Sequence, residues 1–176
     1  YISRVFQNPL DNTAPRMTVA ENMALAFNRG EKRTLKFSRN KENLILFENL
    51  LKNLNLGLEQ KINTEMGVLS GGQRQAIALL MATMKAPQLI LLDEHTAALD
   101  PKTQKKIMAL SEEKIKEKNL TALMITHNLQ DALTYGNRML LLHQGEIVRD
   151  FSEEEKKKLS VTDLYKIMVE LDEKDN

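Results

Sequence analysis

Pro87-Gln88-Leu89-Ile90-Leu91-Leu92-Asp93-Glu94 sets four consecutive large aliphatic residues ahead of two carboxylates. A half-exposed strand would alternate polar and apolar side chains, so this run reads as a parallel strand covered on both faces. Downstream, Asp100-Pro101 supplies an N-cap and an N1 proline for a helix to about Lys118. Leu120 to Thr126 reads as a second buried strand, and Leu129 to Tyr135 as a short helix ended by Gly136. Arg138 to His143 and Glu146 to Phe151, joined across Gln144-Gly145, predict an antiparallel hairpin. Glu153 to Lys158 predicts an exposed helix with facing opposite charges, and Ser160 with Asp163 opens a last helix, Val161 to Leu171. Strand and helix in alternation predict an α/β fold with a largely parallel sheet flanked by helices.

Upstream of Pro87 the texture is helical. Thr18 with Glu21 three residues on is a capping box opening Val19 to Phe27. Arg29 to Asn40 is polar and basic and reads as a loop; Asn43 to Leu54 carries leucines and Phe47 at helical spacing. Ser70 caps a helix from Gly71 to about Lys85. The expected organisation is therefore a helical subdomain over about 15–85, a core formed by 1–14 and 86–151, and C-terminal helices over 152–176. Tyr1 stands where a Met would begin a chain, and Ile2 to Phe6 alternates like a strand already under way. The expectation is that a segment upstream has been removed.

Composition narrows the function classes. Twenty-five Lys+Arg against 24 Asp+Glu give a net charge of +1, without the basic excess that marks a nucleic-acid binder. With no Cys, disulfide and thiolate chemistry are excluded. With no Trp and eight other aromatics, little is left for a base-stacking surface. The longest apolar run, Ala76 to Met84, is far short of the roughly 20 residues that a membrane helix needs. A soluble chain from a reducing compartment is expected, with its nine Met mainly in the core.

Ligands of such sheets bind beyond the carboxyl ends of the strands. Asp93-Glu94 stands at one such end and His127 at another. One carboxylate can hold Mg²⁺ while its neighbour orients or deprotonates water, and the imidazole can reach a phosphate oxygen. Ser70-Gly71-Gly72-Gln73 opens a helix whose free amides and dipole favour an anion. Taken singly, these features read more simply as a surface acidic pair and a strand-end histidine, and the third as a plain N-cap with a tight turn, which is common. Gly67 to Gly72 matches half of a phosphate-binding loop, but Gln73-Arg74 follows where Lys and Ser/Thr are required. A cradle for nucleotide phosphates is thus missing from the sequence.

Together these residues carry a resemblance. Val68-Leu69-Ser70-Gly71-Gly72-Gln73-Arg74 resembles the signature motif of ATP-binding cassette (ABC) ATPases. Leu89 to Glu94 resembles their Walker B strand, Ala98-Leu99-Asp100 the D-loop, Thr126-His127 the switch histidine, and Val5-Phe6-Gln7-Asn8-Pro9 the Q-loop. The five motifs keep the family's order and spacing from Val5 to His127. The resemblance implies a P-loop NTPase-type core with a helical subdomain, here without its N-terminal strands and Walker A loop.

It also implies roles. Gln7 would sense Mg²⁺ and the γ-phosphate and link the site to a transmembrane permease. Asp93 would hold Mg²⁺, Glu94 would act on the attacking water, and His127 would contact the γ-phosphate. Ser70, Gly71, Gly72 and Gln73 would serve the ATP of a second ATPase subunit in a head-to-tail dimer, with Asp100 at the same interface. His95 departs from the family's usual proline after the glutamate, which leaves the local turn open. Asp11 to Asn22 and Asp93 to Asp100 resemble bacterial importer ATPases working with a substrate-binding protein, amino acids being among the candidate cargoes. The expectation is a peripheral ATPase on the cytoplasmic face of the membrane, without activity as this chain alone. A soluble ABC protein acting on ribosomes or DNA is the alternative, and a non-catalytic interaction module a third reading.

Overall fold

The structure, a computed structural model, describes residues 1–31 and 41–174. Two compact units divide the chain, Tyr1–Ile125 and Thr126–Asn176. In the first, β1 (Ile2–Val5) is followed by α1 (Val19–Phe27), α2 (Lys41–Lys52), α3 (Gly71–Thr83), β2 (Leu89–Asp93), α4 (Pro101–Glu117) and β3 (Thr121–Ile125). The second holds α5 (Leu129–Thr134), β4 (Arg138–His143), β5 (Glu146–Ser152), α6 (Glu153–Lys156) and α7 (Val161–Lys174). Residues 32–40 of the expected basic loop lie outside the described residues.

The strands of the first unit form a parallel sheet in the order β1-β2-β3. Val5 lies opposite Leu92, and Asp93 opposite Ile125. One face of this sheet packs on α3, which is buried all round from Gln75 to Thr83. Val5, Ile90 and Leu92 thereby join Met23, Phe47, Leu51, Ile77, Leu79 and Ile107 in one apolar core. Phe27 meets Phe47 edge to face, ring centroids 5.8 Å apart, a favoured aromatic geometry.

The segment between β1 and α1 is fixed by polar groups. Thr18 and Glu21 form the expected capping box. The first amides of α1 are also accepted by a neighbouring turn, Val19 N–H by the Thr64 carbonyl and Ala20 N–H by that of Ile62. Four donors at a helix start have no partner within the helix, so these bonds remove part of that cost. Asn22 is buried, and its side chain accepts from Ala14 N–H at 2.7 Å and donates to the Ala14 carbonyl at 3.0 Å. That exchange holds the chain after Gln7 against α1.

One expectation is corrected. The strand from Leu120 to Thr126 was expected to be covered on both faces, yet Leu123 is 50% and Ile125 56% exposed. The reason lies in the register: Leu123 pairs with Leu91 and Ile125 with Asp93, on the face opposite the core side chains Val5, Ile90 and Leu92. Among the described residues β3 also has no strand along its outer edge. An apolar, unpaired edge favours association. The methionines also divide, Met23, Met66, Met81 and Met108 being buried while Met168 is exposed.

In the second unit, β4 and β5 pair antiparallel with an irregularity between Leu141 and Leu142. Gln144 and Gly145 both take positive φ at the hairpin tip, 48° and 83°, as a two-residue turn matching strand twist requires. Arg138 donates to both carboxylate oxygens of Asp150 across the pair, at 2.9 and 2.6 Å. Lys156 donates to the carbonyls of Tyr135 and Gly136, closing the end of α5.

Candidate functional site

Parallel register fixes the first group of expected site residues. With Val5 opposite Leu92, Gln7 and Glu94 each stand two residues beyond the last β1-β2 pair, at the carboxyl ends of neighbouring strands. Asp93 closes β2 with its side chain half-buried. Glu94 takes φ +43°, the left-handed region that a residue with a Cβ rarely occupies. Two bonds hold it there: its N–H donates to the Ile125 carbonyl at 3.0 Å, and its carbonyl accepts from Ala97 N–H at 2.9 Å. Backbone strain of about 1–2 kcal/mol, over-determined by its surroundings, is typical of chemical sites.

His95 follows inside the core, 2% exposed, its Nε2 2.9 Å from Ser111 Oγ on α4. Ser111 Oγ already donates to the Ile107 carbonyl at 2.8 Å, so His95 must donate and is the neutral Nε2–H tautomer. Burial pushes its pKa down to about 4. The turn that a proline would shape is here pinned to α4 through an imidazole.

The second group gathers at the start of α3. Ser70 is the N-cap, with its hydroxyl accepting from Gln73 N–H and the Gln73 carboxamide oxygen accepting from Ser70 N–H. The same oxygen accepts from Lys61 Nζ at 3.2 Å. Its carbonyl end being occupied, Gln73 has its NH₂ end left to donate elsewhere. No acidic residue lies in this first turn, so the N-terminal dipole keeps its affinity for an anion. Asp100 caps α4, accepting from Lys102 and Thr103 N–H at 3.1 Å each. The bonds from Thr103 hold the Asp100 carboxyl below its usual range.

These two helix starts touch. A Cβ on Gly71 would lie 3.6 Å from Leu99 Cδ2, and one on Gly72 only 2.3 Å from Thr103 Cγ2. A cleft of about 410 Å³ beside them is lined by Ser70, Gly72, Gln73, Thr103 and Lys106 among others. Gly72 therefore has a packing duty that the sequence did not disclose. Gly72→Ala gains helix propensity of about 1 kcal/mol, but the stiff β-branched Thr103 must yield, at a cost of about 1–3 kcal/mol. The expected result is a net loss of about 1 kcal/mol in urea unfolding, recovered in Gly72→Ala/Thr103→Ser. An unchanged midpoint in the single variant would contradict this contact.

The first unit thus brings together Gln7, Asp93 and Glu94 at its strand ends, and Ser70, Gly71, Gly72, Gln73 and Asp100 at its helix starts. His127 belongs to the second unit, where it precedes Asn128, the N-cap of α5. Sequence reading missed Arg4: its guanidinium lies 2.5 Å from Asp93 Oδ2 and 4.3 Å from the Phe6 ring centroid. It also missed Gln75, wholly buried, whose Nε2 donates to the Phe6 carbonyl at 3.3 Å and ties α3 to the residue before Gln7.

The ABC transporter family model matches residues 1–97, more than half of the chain. The chain belongs to the ABC transporter family. This ABC chain is 46% identical over 163 residues to a tyrosine transport ATP-binding protein of Clostridioides difficile, covering 93% of itself and 64% of that relative. An aliphatic sulfonates import ATP-binding protein SsuB of Burkholderia ambifaria is 38% identical over 136 residues, 77% of this chain and 38% of the relative. Among solved structures, the post-hydrolysis dimer of the ATP-binding cassette MJ0796 bound to ADP and phosphate matches with TM-score 0.69 and 32% identity. That match covers 86% of this chain and 62% of the other. A metal-chelate type ABC transporter in an inward-facing conformation matches with TM-score 0.74 and 26% identity, over 95% and 64% of the two chains. The ABC chain therefore spans less than two thirds of the relatives and structures it matches.

Mg²⁺ and ATP, which the family implies, can be tested against the residues present. Asp93 and Gln7 are oxygen donors, and a cationic guanidinium already stands at Asp93. Among the described residues no cluster of three His, Asp or Glu could hold a metal ion unaided. One carboxylate with outside oxygens is the usual way in which Mg²⁺ is bound beside phosphates, so the donor set fits. For ATP, the helix start of α3 fits an anion, while the phosphate-binding loop is not in this sequence.

Proposed function

We propose that this ABC chain forms part of the ATPase that powers uptake of a small solute. It contributes the water-activating wall of one nucleotide site and the lid of another. The observation that carries the reading is the packing of the Ser70–Gly72 turn, which opens α3 with no acidic residue in its first turn, on Leu99 and Thr103 beside the α4 start capped by Asp100. A helix start of this kind favours an anion, and in this reading it serves the phosphates of ATP held by a second ATPase subunit.

In this reading ATP, with Mg²⁺, supplies the phosphoanhydride to be cleaved. Asp93 and Gln7 hold the metal ion through oxygen atoms. Glu94 orients the attacking water and takes its proton. His127 donates to the γ-phosphate, and Ser70, Gly71, Gly72 and Gln73 donate to that of the partner's nucleotide. Asp100 joins the same interface. No described helix is long and apolar enough to cross a membrane; in this reading the membrane path belongs to permease subunits, with this chain docked at their cytoplasmic side. The relative named for sulfonate import supports uptake, and the one named for tyrosine transport supports an amino acid as the leading cargo class; a substrate-binding protein would feed that uptake.

The test compares ATP binding by this chain with binding by a version extended ahead of Tyr1 by a strand and a Gly-x-x-x-x-Gly-Lys-Ser/Thr loop. The extended chain is expected to bind Mg-ATP at least about tenfold tighter, one strong charge-assisted contact contributing that much. It is also expected to gain Mg²⁺-dependent turnover that Asp93→Asn abolishes. Equal binding by both, or turnover indifferent to Asp93, would overturn the reading.

A further inference from the structure

We propose that Arg4 is the resident counter-ion of Asp93, a placeholder that a divalent cation must displace before the carboxylate can serve as a metal ligand. The inference rests on the reading of Asp93 as that ligand and adds a control to it. Arg4 sits on β1 opposite Leu91, one strand away from Asp93, and its guanidinium reaches the carboxylate at 2.5 Å. The Phe6 ring lies on its other side, centroid 4.3 Å away. A guanidinium stacked on an aromatic face keeps its charge and loses freedom, so less entropy is spent in holding the ion pair. The end of β1 and the two residues after it thus present, within four residues, the cation that guards the carboxylate (Arg4), the ring that steadies it (Phe6) and the amide expected to help bind the metal (Gln7).

Exposure sets the strength of this device. The Arg4 side chain is 49% and that of Asp93 29% exposed. A pair this open to water is worth little in itself, so it neither locks the site nor needs unfolding to open. It biases the site: with Arg4 in place a neutral ion pair meets the incoming cation, and with Arg4 swung out the carboxylate charge is available. Metal and guanidinium exclude each other at the Asp93 carboxylate, so each must weaken the other to the same degree.

The experiment uses the 176-residue chain and Mn²⁺ alone as a magnesium surrogate, read by paramagnetic broadening of the backbone amides of residues 93 and 94. Arg4→Gln is expected to tighten Mn²⁺ binding about two- to fivefold, the range an exposed ion pair supports. Arg4→Lys should fall between Arg4→Gln and the unmodified chain, and Phe6→Leu should tighten binding by loosening Arg4. In the unmodified chain, saturating Mg²⁺ should shift the Arg4 guanidinium N–H resonances as Nη2 leaves the Asp93 carboxylate. Unchanged or weaker Mn²⁺ binding in Arg4→Gln, or an Arg4 resonance indifferent to Mg²⁺, overturns the placeholder. Asp93→Asn separates the two claims. If it leaves broadening intact, Asp93 is not the ligand and the functional reading falls too; if it abolishes broadening while Arg4→Gln has no effect, only the role of Arg4 falls.

Discussion

Glu94→Gln, placed in the extended chain that carries a phosphate-binding loop, is expected to lower ATP turnover by about 10²–10⁴-fold, the span a positioned general base contributes. ATP affinity should stay within a few-fold, since the carboxamide keeps the size and hydrogen-bonding reach of the carboxylate and loses only its basicity. Single-turnover measurements and sizing in the presence of Mg-ATP check both halves: hydrolysis collapses while an ATP-bound dimer accumulates. The geometry argues for this residue over its neighbours. Asp93 is already engaged by Arg4, and His95 is buried with its one N–H donated to Ser111. Glu94 sits on a left-handed backbone pinned by the Ile125 carbonyl and Ala97 N–H. Turnover preserved in Glu94→Gln would remove it as the base.

The way these features could be read from the sequence follows the range of the interactions behind them. Local chemistry was legible: the Ser70 and Thr18 capping boxes, the Asp100-Pro101 helix start and the Gln144-Gly145 hairpin are set by residues within four positions of one another. The aliphatic run Leu89 to Leu92 was legible too, because burial on both faces leaves no alternation to misread. Where the outcome depends on what lies across the sheet, sequence was silent. The exposure of Leu123 and Ile125 is decided by which face of the sheet is covered, both lying on the face opposite the core side chains Ile90 and Leu92, and nothing within Leu120 to Thr126 encodes that. Arg4 and Asp93 are 89 residues apart, and Gln75 and Phe6 are 69 apart; only the strand register and the α3 packing bring them together. Gly72 read only as part of an anion-favouring helix start, while a Cβ there would first meet Thr103 of the same chain.

The strongest pH effect should come from His95. Its pKa falls from 6.5 to about 4 on folding because burial disfavours the imidazolium. In that interval the unfolded chain binds a proton that the folded chain refuses, so stability rises with pH. The contribution is complete above pH 6.5, is lost progressively as pH falls, and levels off below about 4, where both states are protonated. A shift of this size corresponds to roughly 3 kcal/mol at full extent, a large share of the 5–15 kcal/mol that holds a typical domain together. Urea unfolding in the absence of divalent metal at pH 7, 6, 5 and 4.5 should show the decline. His95→Gln, which retains a donor for Ser111 and cannot titrate, should flatten the curve between pH 6.5 and 4.5 even if it lowers stability at pH 7. The carboxylates held below their usual range, Asp100, Glu117 and Asp150 among them, lose their contribution only as pH falls through and below the ordinary carboxylate range, so the upper part of the window isolates the imidazole. Equal slopes in the two chains would mean that His95 is protonated without leaving its pocket, and the closed turn after Glu94 would then need another explanation.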